Sequence, residues 1–430
     1  MILNDPNEVM MEIEERAVLV GFNDNSQEID IEYSMEELKE LSDAAGIEVV
    51  GIAIQNKRTI DAAFYIGSGK VEEVKLLAEA NDGNLVIFND ELSGSQIRNL
   101  EKEIGMKVID RTTLILDIFA KRATNRVSKL QVELAQLKYR KSRLTGMGGA
   151  MSKTGAGVGT RGPGEQKLEL DKRRINDRIS DIAKILEEEK GIREIQRAQR
   201  QKNEIPIVAL VGYTNAGKSS VMNMLLEMTK PDEPEKKVFE KDMLFATLDT
   251  FSRRIEFPDN RAFILIDTVG FVSKLPHALV EAFKATLEEV KQADLLIHVL
   301  DVTNSNMDNQ RLITENVLRE LGVKDKETIY VYNKIDKLEN PDEVIEKEGY
   351  LKISARTGYQ MKILVDKIRG FVFSDIVKVK MMLPFSEGQV YSYLCDEHNV
   401  YSTEYLPEGI LIEVEIDQID LGRYRSYVVE

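Results

Sequence analysis

The stretch ALVGYTNAGKSSVMNML (209–225) carries glycines and a lysine at a spacing that suits phosphate binding. Gly212, Gly217, Lys218 and Ser219 form the pattern GxxxxGK[ST], between an apolar run and an amphipathic stretch. Such glycines let backbone N–H groups converge on phosphates, and the N-terminus of a following helix adds its dipole. The pattern therefore predicts a phosphate loop between a strand and a helix. Its candidate nucleotide-binding residues are Gly212, Tyr213, Thr214, Asn215, Ala216, Gly217, Lys218, Ser219 and Ser220.

Four short motifs elsewhere in the chain supply the remaining parts of a GTP site. ILIDTVG contains a DxxG, VYNKID contains an NKxD, and ISARTG follows the next predicted strand. The carboxylate of NKxD can accept hydrogen bonds from N1–H and the exocyclic amine of guanine, a pair that adenine lacks. The fourth motif, LFATLDT, lies between the phosphate loop and DxxG. The added candidates are Phe245, Thr247, Asp267, Gly270, Asn333, Lys334, Asp336, Ser354, Ala355 and Arg356.

Some of these candidates suit the binding of Mg²⁺, and some suit the hydrolysis of GTP. Ser219 and Thr247 offer hydroxyl ligands, and Asp267 suits the outer coordination sphere of the metal. Lys218, Thr247 and Gly270 are the candidate catalytic residues, with the Gly270 N–H donating to the γ-phosphate. Phe271 stands directly after DxxG, where many GTPases have a glutamine that orients water. The motifs predict a GTPase that completes its catalysis with another group.

Alternating apolar and amphipathic stretches predict an α/β multidomain protein. Residues 1–120 predict a parallel α/β domain, with strands at AVLVGF, VVGIAI and NLVIF, and residues 201–373 predict a Ras-like P-loop GTPase domain. Residues 374–430 predict a small α+β domain with a helix in EGQVYSYLCDEH. RAQRQKNEIP (197–206) is expected to be a linker.

Residues 121–200 predict an antiparallel helical hairpin. Apolar residues recur every three or four positions on both sides of a glycine-rich stretch, which we expect to form the tip at 146–164. That stretch contains a GxGxxG at Gly157, Gly159 and Gly162, but a helical pattern rather than a strand precedes it. A dinucleotide site, and with it an oxidoreductase, is therefore disfavoured.

One basic segment lies within an acidic chain. The chain has a net charge of −16, yet residues 121–143 hold eight Lys and Arg against the single Glu133. Such a face can bind nucleic acid phosphates, whereas the alternative is a solvated helix surface. The candidate RNA-binding residues, with two from the tip, are Arg122, Lys129, Arg140, Lys141, Lys153 and Arg161.

Composition limits the cellular setting. Cys395 is the only cysteine, which excludes an intrachain disulfide and a cysteine-based zinc site. The N-terminus has no apolar signal-like stretch, and no window is apolar enough for a transmembrane helix. We expect a cytoplasmic protein without membrane insertion, and we favour a monomer.

The segments DTVGFVSKLPHALVEAFKATLEEVKQADLLIHVLDV and GAGVGTRGPGEQKLELDKRRI resemble HflX-type ribosome-associated GTPases. YIGSGKVEEV and IDRTTLILDIFAKRA extend the resemblance over residues 10–373. The resemblance implies GTP hydrolysis coupled to the large ribosomal subunit, with roles in ribosome splitting, recycling or rescue. This chain departs from the family pattern at Thr250, where the family has proline after TLD.

Two questions stay open at this level. Asn215 resembles the asparagine that binds K⁺ in some translation-related GTPases, and a local backbone hydrogen bond is the alternative. The helical hairpin suits rRNA, with its glycine-rich tip ordering against the large subunit. It also suits a GTP-regulated protein-interaction switch, in which the apolar seams of the helices pack on a partner protein.

Overall fold

The computed structural model forms two compact units. One comprises residues 1–195, 241–249 and 271–285, and the other comprises residues 196–240, 250–270 and 286–430. The structure describes residues 14–24, 30–145, 163–202, 205–229, 251–257, 261–274, 289–323, 326–340, 349–374, 377–416 and 418–429.

The first unit contains a parallel four-stranded sheet in the order β2-β1-β3-β4. All four residues of the strand LVIF are buried, as expected for a parallel strand covered on both faces. The three strands predicted from the sequence are present, and β4 is an addition. Its four residues, KVID, give too short an apolar run to be recognised as a strand. The strands are β1 Arg16–Asn23, β2 Glu48–Asn56, β3 Leu85–Phe88 and β4 Lys107–Asp110.

Four helices connect or follow these strands. The apolar sides of the second and third of these helices meet the sheet in a core that includes Val18, Val74 and Leu100. Ser93 and Gln96 form a capping box that fixes the start of the third helix. The helices are α1 Ile31–Ala45, α2 Ser68–Ala80, α3 Gly94–Ile104 and α4 Arg111–Arg122.

Two long helices follow, α5 Arg126–Thr145 and α6 Pro163–Lys202. Arg178 of α6 donates to Glu133 of α5 at 2.7 Å, and the two residues are nearly equidistant in sequence from the centre of the intervening segment, as in an antiparallel hairpin. The prediction of a linker at 197–206 is wrong for residues 197–202, because α6 continues through Lys202. Its Arg, Gln, Ala and Lys residues are good helix formers, and polarity alone does not end a helix.

The second unit contains a six-stranded sheet in the order β10-β9-β8-β5-β7-β6. All neighbours are parallel except the β6–β7 pair at the edge. The strands are β5 Ile207–Gly212, β6 Phe251–Glu256, β7 Ala262–Asp267, β8 Leu295–Asp301, β9 Thr328–Asn333 and β10 Tyr350–Lys352. The helices are α7 Lys218–Thr229, α8 Met307–Glu320 and α9 Met361–Val372. Residues 277–288 of the helical pattern HALVEAFKATLEEVKQA lie outside the described residues.

The C-terminal part of this unit adds an antiparallel three-stranded sheet in the order β11-β13-β12. Its strands are β11 Val377–Leu383, β12 Asn399–Leu406 and β13 Gly409–Ile416. Two helices accompany them, α10 Gly388–Glu397 and α11 Gln418–Arg423. The expected small α+β arrangement is therefore present. None of the helices in the described ranges has the length and apolar content needed to span a membrane.

His298 is a buried titratable group in the centre of the six-stranded sheet. It lies on β8, is 1% exposed, and packs its ring 5.4 Å from that of Tyr330. Burial lowers the pKa of His298 to about 3, with smaller contributions from the positive charges of Arg311 and Lys218.

Acidification is therefore expected to destabilise this sheet. At pH values below an ordinary histidine pKa of about 6.5, His298 binds a proton in the unfolded chain but stays neutral in the folded chain. Stability falls as the pH drops through that value, by about 2 kcal/mol between pH 7.5 and 5. Urea unfolding of the protein and of His298→Asn measures this loss. Parallel pH profiles for the two proteins would contradict the account.

Candidate nucleotide site

The phosphate loop connects the end of β5 to the start of α7. Gly212 has φ +148°, and an added Cβ would lie 2.3 Å from the carbonyl oxygen of Val299. Gly217 has φ +93°, and its added Cβ would lie 2.3 Å from Nδ2 of Asn333. No side chain fits at either position, so the neighbouring strands and the backbone angles both require glycine. The loop therefore approaches the ends of β8 and β9 closely.

Lys218 is the first residue of α7 and is only 6% exposed. Its Nζ donates to the carbonyl oxygens of Gly212 at 3.1 Å and Tyr213 at 2.7 Å. Burial lowers the pKa of Lys218 to about 8, while the charge of Asp267 opposes that shift. A phosphate group beside this ammonium would favour its charged form, because opposite charges attract strongly at a buried site.

Ser219 and Asp267 form the oxygen-rich side of the site. Ser219 Oγ donates to Asp267 Oδ2 at 2.6 Å. Asp267 is 1% exposed, and its second oxygen, Oδ1, is buried without a hydrogen-bond partner. Burial raises the pKa of this carboxyl, and Lys218 and Ser219 oppose the rise. Hydroxyl and carboxylate oxygens are ligands that Mg²⁺ prefers, so the unpaired oxygen and this donor set fit the metal.

Gly270 of DxxG lies directly against the phosphate loop. A Cβ added to it would lie 2.7 Å from Cα of Thr214 and 2.9 Å from Nζ of Lys218. The glycine therefore brings its backbone beside the ammonium that is suited to the terminal phosphates. Thr268, two residues earlier, fixes the strand end by donating to the carbonyl oxygen of Leu210 at 2.7 Å.

The base-recognition motifs are joined by hydrogen bonds. Asn333 Nδ2 donates to the carbonyl oxygen of Ala216 at 2.9 Å, and its Oδ1 accepts from the Ala355 backbone N–H at 3.0 Å. Ser354 Oγ donates to Asp336 Oδ1 at 2.6 Å. Asn333 thus links the phosphate loop to the ISARTG turn. The Asp336 carboxylate is exposed and oriented by Ser354, as an acceptor for guanine needs to be.

Lys334 adds a contact that the sequence motifs do not reveal. Its backbone is left-handed, with φ +67°, and its Nζ pairs with Asp301 Oδ2 at 2.8 Å. Asp301 is the last residue of β8, and none of the sequence motifs includes it. The available signal was its position directly after the apolar run LLIHVL, where carboxyl ends of parallel strands meet at one edge.

The predicted residues divide into those that the structure brings together and those that it does not describe. The phosphate loop, Asp267, Gly270 and the two base motifs lie at one edge of the sheet of the second unit. Tyr213 is buried, Asn215 and Ser220 are half-buried, and Arg356 is exposed. Outside the described residues lie Phe245, Thr247, Lys153 and Arg161. The other basic candidates lie on α4 and α5, with Lys129, Arg140 and Lys141 exposed and Arg122 half-buried.

Three family models match successive parts of the chain. Residues 32–120 match the N-terminal part of a GTP-binding GTPase, and residues 122–200 match the middle region of a GTP-binding GTPase. Residues 207–334 match a model described as a 50S ribosome-binding GTPase.

Curated relatives match over most of their length. The GTPase HflX of Caldanaerobacter subterraneus subsp. tengcongensis is 46% identical over 99% of this chain and 97% of its own. The GTPase HflX of Escherichia coli is 38% identical over 88% of each chain. A GTP-binding protein from Sulfolobus solfataricus, solved with GDP, is 27% identical with a TM-score of 0.42, over 84% of this chain and 99% of that one.

The near-complete overlap with relatives of one kind agrees with the order of the motifs along the chain. The phosphate loop, DxxG and NKxD lie at strand ends of one sheet, with an N-terminal α/β region and a long helical region before them. The chain is a GTP hydrolase and belongs to the HflX family of GTPases.

Proposed function

We propose that this GTPase binds the large ribosomal subunit in the cytoplasm and couples its GTP cycle to ribosome association, splitting or rescue. The observation that carries the proposal is the match of residues 207–334 to a 50S ribosome-binding GTPase. The basic helix α5 supports it, because it presents cations on a chain whose net charge is −16. Phosphates of rRNA attract such a face through salt-dependent contacts.

In this proposal each residue of the nucleotide site binds a different part of the nucleotide or its metal ion. Lys218 holds the β- and γ-phosphates, and the N–H of Gly270 donates to the γ-phosphate. Ser219 and Thr247 would hold Mg²⁺ with the support of Asp267, and the ion would offset charge on the phosphate oxygens. Asp336 selects guanine. Phe271 is 2% exposed and has no hydrogen-bonding group, so the water must be oriented by another group.

The rRNA contacts in this proposal are made by α5 and by the glycine-rich segment 146–164, of which residues 146–162 lie outside the described residues. Not every cation of α5 takes part, because Arg143 is committed to an ion pair with the buried Asp110. Lys129 and Arg140 point outward and are exposed. Arg122 and Lys141 lie on the same basic segment.

Charge reversal on this segment is expected to weaken binding to large subunits by at least about tenfold, because each cation neutralises one phosphate. The change combines Arg122→Glu, Lys129→Glu, Arg140→Glu and Lys141→Glu. A control with the same change in net charge combines Lys39→Glu, Lys102→Glu, Lys362→Glu and Lys367→Glu. Co-sedimentation with purified large subunits at several salt concentrations measures the difference, and GDP affinity checks that the nucleotide site is intact.

If the four-residue variant and its control lost binding equally, the basic segment would not be a specific interface. If neither lost binding, the basic segment would not contact the ribosome. That second result would favour the other hypothesis, a GTP-regulated switch whose hairpin packs on a partner protein.

We further propose that Asn215 binds K⁺ beside the phosphates. Its backbone is left-handed, with φ +60°, and its half-buried side chain makes no hydrogen bond to any described residue. The expected alternative, a local backbone hydrogen bond from this amide, is therefore not seen among those residues. A monovalent cation here would stabilise the negative charge of the transition state.

GTP turnover is accordingly expected to be at least about tenfold faster in KCl than in NaCl at equal ionic strength. Asn215→Ala should abolish the difference, since it removes the amide oxygen that binds the ion. Steady-state phosphate release with both proteins in both salts measures this. Equal rates for the unchanged protein in the two salts would refute the K⁺ site.

A further inference from the structure

The second compact unit contains a cavity of about 410 Å³ between helix α8 and one face of the six-stranded sheet, which we call the α8 cavity. Val211, His298 and Tyr330 are neighbours in the parallel register of β5, β8 and β9, so their side chains share one face and form part of the cavity floor. Leu296 and Thr328, two positions earlier on β8 and β9, extend the floor towards the amino ends of the strands. The volume lies within the range of roughly 300–1,000 Å³ that is usual for small-molecule sites.

The lining of the α8 cavity is largely apolar. Val211 and Leu296 of the floor are buried, and so are Leu318 of α8 and Val323 in the turn that follows α8. An apolar group placed against these side chains would leave water together with them. Removal of apolar surface from water is the main favourable contribution to binding at such sites.

The lining also contains one polar atom that lacks a partner. Nε2 of His298 is buried and forms no hydrogen bond with any described residue. Buried polar atoms are nearly always paired, because an unpaired one costs the free energy of its desolvation. Burial lowers the pKa of His298 to about 3, so the ring stays neutral at ordinary pH. A ligand in the cavity can therefore supply a hydrogen bond that these residues do not make.

Two positive charges complete the lining. Arg319, near the end of α8, is exposed, and Lys326, shortly before β9, is half-buried. Neither forms an ion pair with another residue in the described ranges. Glu315, the acidic residue of the lining, is paired with Arg311 at 2.8 Å and accepts from Tyr330 Oη at 3.2 Å. The charge left for an occupant of the cavity is therefore positive, which favours an anion.

We propose that the α8 cavity is a binding site for a small organic anion with an apolar body. The body lies on the apolar floor and walls, and the acidic group lies beside Arg319 and Lys326. His298 adds a hydrogen bond to a polar atom of the ligand. None of the residues that line the cavity belongs to the phosphate loop, DxxG or NKxD, so the site is separate from that of the nucleotide.

Two probes with the same ring system test the preference for an anion. Naphthoate carries a carboxylate, whereas naphthamide has no charge. The chain contains no tryptophan, so naphthyl fluorescence can be followed with little background from the protein. Fluorescence anisotropy is titrated with the full chain saturated with GDP and Mg²⁺, which keeps the nucleotide site occupied. Naphthoate is expected to bind saturably and at least about fivefold more tightly than naphthamide. A lack of saturable naphthoate binding, or equal affinities for the two probes, would overturn the proposal.

Removal of the two charges tests which residues recognise the acidic group. Arg319→Gln combined with Lys326→Gln is expected to weaken naphthoate binding by about tenfold and to leave naphthamide binding unchanged. The matched control combines Lys362→Gln with Lys367→Gln, two exposed lysines of α9, which packs on the opposite face of the sheet. The control removes the same charge and should leave both affinities unchanged. Equal weakening in the two double variants, or none in the cavity variant, would contradict the assignment.

Filling of the cavity provides a test that does not depend on charge. Thr328→Phe adds a bulky side chain to the floor, at a strand position that suits an aromatic residue. It is expected to weaken the binding of both probes by at least about tenfold, because it occupies their space. GDP affinity and urea unfolding check that the unit is still folded. If the folded variant bound both probes with unchanged affinity, the probes would lie elsewhere and the proposal would be wrong. Ribosomal subunits are absent from every arm, so the outcome does not depend on ribosome binding.

Discussion

The burial of Lys218 and Asp267 at the carboxyl ends of neighbouring strands is the constraint on which the nucleotide site depends. Both residues are almost fully excluded from water. Their charged forms are disfavoured there, which lowers the pKa of the lysine and raises that of the carboxyl. Each residue partly offsets the shift of the other through its opposite charge. A phosphate group beside the lysine would favour its charged form further, and a cation beside the carboxyl would favour the carboxylate.

Glycines make this burial compatible with a tight loop. Gly212 and Gly217 bring the backbone against Val299 and Asn333, and Gly270 brings DxxG against the same loop. Asn333 then connects the loop to the turn that follows β10. The phosphate and base ends of the site are consequently one hydrogen-bonded assembly.

Much of this could be predicted from the sequence, and the reasons are physical. Near-continuous apolar runs define the buried parallel strands, and the phosphate loop, DxxG and NKxD are short motifs whose spacing is set by contact with one nucleotide. Contacts between residues far apart in sequence carry no such local signal. Glu37 and Arg111 are ordinary members of amphipathic stretches, and their pairing with Ser273 depends on three elements meeting. The short strand β4 and the continuation of α6 to Lys202 were missed because local pattern is weak at element ends.

The proposal that most needs a test is that the GTP cycle of this enzyme is coupled to the large ribosomal subunit. The most direct measurement is steady-state GTP turnover with and without purified large subunits, at fixed Mg²⁺, KCl and enzyme concentration. If the proposal is right, turnover rises at least about tenfold, because Phe271 cannot orient water and the large subunit would complete the site. Turnover that is the same with and without saturating large subunits would contradict it.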